Sequence, residues 1–401
     1  MGRWRHLSGH ERRHWTLRLV TVLLAALFFS GATPALALDN AGPTPLTDLP
    51  GQAAWVADHT GGLRLPDPAT ATPAQVATFV AGLTPSQRDG LLRRHPNVLG
   101  DLNGVPVPLR YQANRVAIRQ AISAATARLH DLSKQIRRPT PTSDLLALRD
   151  QEAATKDRRS MLTRWSRSSG QFLFFDPRGP GRVAQVWGDL TRARHVAIIV
   201  PGAGTTIDNF DDGGGHNAVP ARDARRLLAA TRRLAPSDNV AVIAWLGYVT
   251  PPGIDEYSAG SYLAKPGATD LAGFVNSFGS GVHVSVFCHS YGSVVCGRAA
   301  PAMQVSDIVV FGSPGMDVSS VNDLGTTAKV WATRARSDWI RYVPHVRVDG
   351  YGHGADPAGP SFGSTLFRSD GVTAHGDYFH PGAAALANFA RIAIGDYGAV
   401  R

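Results

Sequence analysis

The chain has 401 residues, 43% of them hydrophobic and 18% charged, the proportions of a globular protein and not of a disordered one. Its formal net charge is +10, of which residues 1–37 carry +4 through Arg3, Arg5, Arg12, Arg13 and Arg18 against Glu11, leaving +6 for the remainder. No aromatic-studded basic face or nucleic-acid motif accompanies that charge, so no nucleic-acid partner is expected; an affinity for anionic cell-envelope surfaces is compatible with it.

The N-terminus reads as an export signal. A basic stretch ending at Arg18 precedes an apolar run over 19–32 and then Ala35-Leu36-Ala37, the small–x–small pattern that a signal peptidase cleaves. The run is short against the roughly 20 residues a bilayer span needs. This predicts a signal peptide at 1–37 and a secreted or envelope-associated protein, with an uncleaved membrane anchor as the alternative. His14-Trp15 after Arg12-Arg13 suits a twin-arginine signal poorly.

Residues 38–70, rich in Pro, Gly and Asp, are expected to form an irregular lead-in to an N-terminal helical region over 38–168. Thr72-Pro73 and Thr84-Pro85 each pair a helix N-cap with proline at the first helical position. Ile118, Ile122, Ala125, Leu129, Leu132 and Ile136 recur at spacings of three and four, one face of a long helix. The segment 138–142, with Pro139 and Pro141, breaks it before a second, more polar helix over 143–165. The pair predicts a helical hairpin that packs as a structural cap, with a substrate-gating lid as the alternative.

From residue 169 the pattern changes. Short β-branched runs at 171–176, 195–200, 239–245, 282–287, 307–311 and 329–333 alternate with helical stretches such as 221–234 and 270–277. Several runs are apolar throughout, as strands covered on both faces are. The alternation predicts a doubly wound, mostly parallel α/β sheet forming one domain over 169–401.

The chemistry concentrates after the run at 282–287. Phe287-Cys288-His289-Ser290-Tyr291-Gly292 leads into a helical 293–299, so Ser290 sits on a sharp strand-to-helix turn that presents its hydroxyl above the sheet edge. The usual pattern is Gly-x-Ser-x-Gly, and here Cys288 replaces the first glycine. A serine nucleophile needs a base and the base an orienting acid, in the chain order Ser, Asp, His. His375, shortly before a terminal helix over 381–395, is the expected base and Asp338, just past the run at 329–333, the expected acid; Asp317 and His353 are the alternatives. His289 is expected to line or support the pocket. Backbone N–H groups of Tyr291 and Ala203 are the expected oxyanion donors, with Gly204 next after Ala203 in the Pro201-Gly202-Ala203-Gly204 turn.

Gly202-x-Gly204 lacks the third glycine and the acidic partner of a dinucleotide loop, so no cofactor is expected. Neither His-Glu-x-x-His nor Cys-x-x-Cys occurs, and Asp211-Asp212-Gly213-Gly214-Gly215-His216 reads as a solvated loop, so no metal is expected. Cys288 and Cys296 straddle Ser290 and are candidates for a disulfide, in line with export.

Leu83-Thr84-Pro85, His95-Pro96-Asn97, Leu102-Asn103-Gly104-Val105-Pro106, Ala113-Asn114-Arg115, Val200-Pro201-Gly202, Trp245-Leu246-Gly247-Tyr248, His289-Ser290-Tyr291-Gly292-Ser293, Gly312-Ser313-Pro314-Gly315 and His375-Gly376-Asp377-Tyr378 together give the chain its likeness. It resembles the exported actinobacterial α/β-hydrolases grouped as a domain of unknown function. The resemblance implies a Ser-Asp-His hydrolase fold behind an N-terminal helical region and carries over Ser290 and His375; Cys288 stands where that family has glycine. The expected activity is a secreted carboxylic-ester hydrolase acting on a small-molecule or lipid ester. An envelope acyltransferase, a peptidase or amidase, and a non-catalytic envelope-binding module on the same scaffold are the alternatives. The sequence sets no oligomeric state.

Overall fold

The computed structural model describes residues 42–139, 141–211 and 218–401. The signal-peptide reading of 1–37 and most of the 211–216 loop lie outside the described residues.

Four short helices, α1 (Gln52–Val56), α2 (Pro73–Ala81), α3 (Pro85–Arg94) and α4 (Pro96–Asp101), open the described chain. Thr72 and Thr84 each accept the N–H of the residue three on, Gln75 and Gln87, whose side chains reach back to the cap; both expected starts are complete capping boxes. The lead-in is less irregular than its composition suggests, because α1 buries Trp55 in a small core with Val76, Leu91, Leu99 and Leu109. The hairpin follows as α5 (Val107–Ile136) and α6 (Thr142–Arg167).

The sheet comprises β1 (Gln171–Asp176), β2 (Arg182–Trp187), β3 (His195–Val200), β4 (Val240–Leu246), β5 (His283–His289), β6 (Asp307–Phe311), β8 (Lys329–Thr333) and β10 (Thr365–Leu366), in the order β1-β2-β4-β3-β5-β6-β8-β10. β2 runs antiparallel to both neighbours and the other pairings are parallel. A separate two-stranded pair joins β7 (Gly315–Val318) to β9 (His353–Gly354). Helices α7 (Pro220–Leu234) and α11 (Ala384–Ala393) cover one face and α9 (Ala264–Asn276) and α10 (Gly292–Ala299) the other, with α8 (Glu256–Ala259) in the loop after β4.

The two-residue period of a strand explains the two cores. Along β3, Ala197 and Ile199 pack with Leu227 of α7 and Phe389 of α11, while Val196, Ile198 and Val200 pack with Leu271 of α9 and Val294 of α10. Each fully buried Ile or Phe of these layers contributes roughly 1.5–3 kcal/mol.

β1 is a sheet edge, and edge carbonyls invite unwanted pairing. Here Asn97 donates to Phe175 O at 3.0 Å, Asn114 to Phe172 O at 2.9 Å and Arg110 to Leu173 O at 3.0 Å. The helical region thus closes the exposed edge, and Pro45–Arg401 forms one compact unit.

Candidate active site

Ser290 lies between β5 and α10 with φ +51°, a left-handed backbone that costs a non-glycine residue roughly 1–3 kcal/mol and is held only where its surroundings enforce it. The enforcement is visible. Ser290 N–H donates to Phe311 O of β6 at 3.1 Å, and Ser293 Oγ donates to Ser290 O at 2.5 Å. A Cβ at Gly292 would stand 2.6 Å from Val200 O, so only glycine lets α10 start against the end of β3. Cys288 and Cys296 are disulfide-bonded, with Cα atoms 6.4 Å apart, and tie the strand end to the elbow helix.

The loop after β3 lies against the serine: a Cβ on Gly202 would fall 2.6 Å from Ser290 Cβ. Gly204 N–H is engaged by Pro251 O at 2.7 Å, which removes it as an oxyanion donor. Among the described residues, the N–H groups of Ala203 and Tyr291 have no such acceptor. Tyr291 is the N-cap residue of α10, where first-turn amides are left unclaimed by the helix.

His375 occupies the loop between β10 and α11, where the sequence puts it, although β10 was too short to be expected. Its Nδ1 is 2.8 Å from Asp338 Oδ1. Asp338 is fully buried and accepts two further hydrogen bonds, from Tyr378 OH at 2.6 Å and from Ile340 N–H at 2.9 Å. Burial alone would raise its carboxyl pKa, but the bonds from His375, Tyr378 and Ile340 outweigh this and hold it below the ordinary carboxylate value. Trp339 packs on the His375 ring from one side and His289 from another, both at a centroid distance of 4.7 Å.

His289, next to the serine, is the residue whose part the sequence left least defined. Its Nε2 meets His375 O at 2.8 Å, and burial, with the neighbouring His375, lowers its pKa to about 3. It is therefore a neutral donor that fixes the backbone carrying His375. Tyr378 has no role assigned from the sequence, where its position three residues after His375 is the available signal.

The alternative pair is also assembled, but elsewhere. Asp317, at φ +62°, takes His353 Nδ1 at 3.0 Å, Arg298 at 2.7 Å and Ser261 Oγ at 2.5 Å. His353 Nε2 meets Ser258 O at 2.8 Å. Both His353 nitrogens thus face protein oxygens, and neither is left open toward a serine. His375 differs: among the described residues its Nε2 has no hydrogen-bond partner, and neither has Ser290 Oγ. The two atoms therefore make no hydrogen bond to each other here; a catalytic serine–histidine bond commonly forms only once substrate is bound. His345 instead packs near Ser313 O and Asp356, at 3.3 and 3.6 Å.

Residues 176–348 match the family described as alpha/beta hydrolase. The uncharacterized protein Rv2079 of Mycobacterium tuberculosis is 31% identical over 389 residues, covering 83% of this chain and 57% of that protein. A second M. tuberculosis protein, the uncharacterized Rv0963c, is 33% identical over 151 residues, covering 34% of this chain and 54% of that protein. The chain therefore spans little more than half the length of the curated relatives it matches. Among solved structures, esterase LipW from Mycobacterium marinum overlaps 65% of this chain and 92% of its own at 14% identity and a TM-score of 0.32. An α/β serine hydrolase without lid from Xanthomonas campestris overlaps 57% and 95% at 13% identity and a TM-score of 0.33. The strand order, with its antiparallel β2 and its nucleophile-type elbow after β5, and the family match over 176–348 together identify the fold as that of the α/β-hydrolases.

Proposed function

We propose that this protein is a secreted serine hydrolase that cleaves a carboxylic ester, of a small molecule or a lipid, through an acyl-enzyme. The observation that carries the reading is the contrast at His375: Nδ1 is held by the buried Asp338 while Nε2 has no partner among the described residues, and the ring packs on His289, the residue before a serine kept in a left-handed elbow. Ser290 Oγ attacks the acyl carbonyl as His375 Nε2 takes its proton. Asp338 keeps the proton of Nδ1 in place and stabilises the imidazolium. The N–H groups of Tyr291 and Ala203 receive the oxyanion. The tetrahedral adduct collapses, the alcohol leaves with the proton from His375, and water repeats the cycle on the acyl-Ser290. The disulfide beside the serine supports action outside the reducing cytoplasm.

The test is labelling by a fluorophosphonate probe together with hydrolysis of a short-chain p-nitrophenyl ester. The wild type is expected to label and to hydrolyse, and Ser290→Ala to do neither. Equal labelling of the two proteins, or no labelling of the wild type, would remove Ser290 as nucleophile.

A further inference from the structure

Among the described residues, nine large apolar side chains are exposed, and five of them lie on two loops: Tyr262 after β4, and Tyr342, Val346, Val348 and Tyr351 after β8. Tyr342 is 71% and Val348 62% exposed. Single exposed apolar residues are ordinary, but such a concentration is not.

The two loops are built as one platform. Val348 and Tyr351 exchange backbone hydrogen bonds of 2.9 Å across Asp349 and Gly350, whose φ values of +51° and +88° mark a tight hairpin turn. Gly352 N–H then donates to Ala259 O at 2.8 Å, fixing this hairpin to the segment that leads to Tyr262. The platform also reaches the elbow. Tyr291, directly after Ser290, donates its hydroxyl to Gly260 O at 2.8 Å and packs edge-on against His353 at 5.7 Å. At its other end, Trp339 lies over His375. The buried Asp317–His353 pair therefore has a structural task, holding the platform beside the site.

Charge indicates what covers it. Arg336, Arg341, Arg347 and Lys265 are exposed around the apolar residues, against Asp349 and Glu256. Arg341 lies over the Tyr342 ring at 5.2 Å. Tyrosines with apolar bodies and polar tips, valines at a rigid turn and a basic surround suit an anionic lipid–water interface, where rings sit at the headgroup level and arginines meet phosphates. We infer that the 341–351 hairpin and Tyr262 dock the protein on anionic lipid surfaces, with the site at the platform's edge.

The test uses the full chain and a local reporter, because both native cysteines are bonded and a new one labels alone. Tyr351→Cys carrying an environment-sensitive nitrobenzoxadiazole dye is mixed with phosphatidylcholine vesicles with and without phosphatidylglycerol; Leu234→Cys is the control. Emission at 351 is expected to shift blue and rise about threefold with the anionic vesicles only, as the dye leaves water, and at 234 to stay constant. Arg341→Gln with Arg347→Gln is expected to weaken that response roughly 30-fold, about fivefold for each charge. Tyr342→Ser with Val348→Ser should abolish vesicle binding at the hairpin while hydrolysis of a soluble ester is kept, which separates this inference from the reading of Ser290. No change at 351 with either vesicle overturns it. A change that follows protein concentration without lipid assigns the platform to a second copy of the chain, and overturns it too.

Discussion

Asp338–His375 and Asp317–His353 are both aspartate–histidine pairs whose carboxylate side chain is buried, and they differ in what the histidine has left to offer. In Asp338–His375 the carboxylate is shared with a tyrosine hydroxyl and a backbone N–H, and one ring nitrogen stays free. In Asp317–His353 the carboxylate is shared with an arginine and a serine, and both ring nitrogens are spent. Residue types and distances are alike, so pairing alone does not mark a catalytic base. What marks it is an imidazole oriented on one side and unoccupied on the other.

The largest expected effect breaks the comparison directly. His375→Ala removes the proposed proton acceptor and is expected to lower kcat by roughly 10³–10⁴-fold, with little change in unfolding temperature. His353→Ala leaves Asp317 with Arg298 and Ser261 and is expected to cost about 3 kcal/mol of stability, while kcat per folded molecule stays within about tenfold. Esterase kinetics beside chemical denaturation of both variants gives the comparison. A reversal, with activity lost in His353→Ala and kept in His375→Ala, would exchange the roles of the two pairs.

Much of this arrangement is legible in the sequence, for reasons that also explain the gaps. The central strands announce themselves because β3, β4 and β5 are covered on both faces and are therefore mostly apolar. β2 does not, since Arg182 and Gln185 interrupt it; Arg182 is buried against Asp176 at 3.1 Å, a pairing no local pattern shows. β10, with two exposed residues, has no hydrophobic signature at all. The elbow could be read because a strand, a serine and a small residue must occur in that order. The choice between Asp338 and Asp317 could not: both follow a strand, and only long-range contacts, with Tyr378 for one and Arg298 for the other, separate them. Likewise the exclusion of Gly204 depends on Pro251, far along the chain.

The disulfide sharpens the comparison at the next level of effect. It stands beside the elbow that positions Ser290 and, through His289, the backbone of His375. With a sequence separation of 8 between the positions it joins, its removal is expected to cost about 2–3 kcal/mol by the loop-closure argument. The paired substitution Cys288→Ala with Cys296→Ala should lower the denaturation midpoint and reduce kcat more than it raises KM, because what loosens is the serine and not the bound substrate. An identical midpoint for variant and wild type under oxidising conditions would show that packing alone fixes the elbow.

The smallest effect concerns the neutral His289, which precedes the serine and packs on the ring of His375. Its pKa is lowered from 6.5 to about 3 by burial and by the neighbouring His375. Between these values the unfolded chain binds more protons than the folded one, so this residue's contribution to stability falls as pH drops below 6.5. Asp223, raised by burial to about 7, works in the opposite sense, since the folded chain keeps its proton longer and stability falls as pH rises through that range. The two slopes offset each other in the wild type, which is why a variant is needed to see either. His289→Gln keeps a donor for His375 O and removes the titration. Its stability relative to the wild type is expected to improve by roughly 1 kcal/mol between pH 6.5 and 5.5, read from denaturation midpoints at each pH. A constant difference across that interval would mean that His289 is charged in the folded protein, and a second cation would then stand beside His375 where the imidazolium has to form.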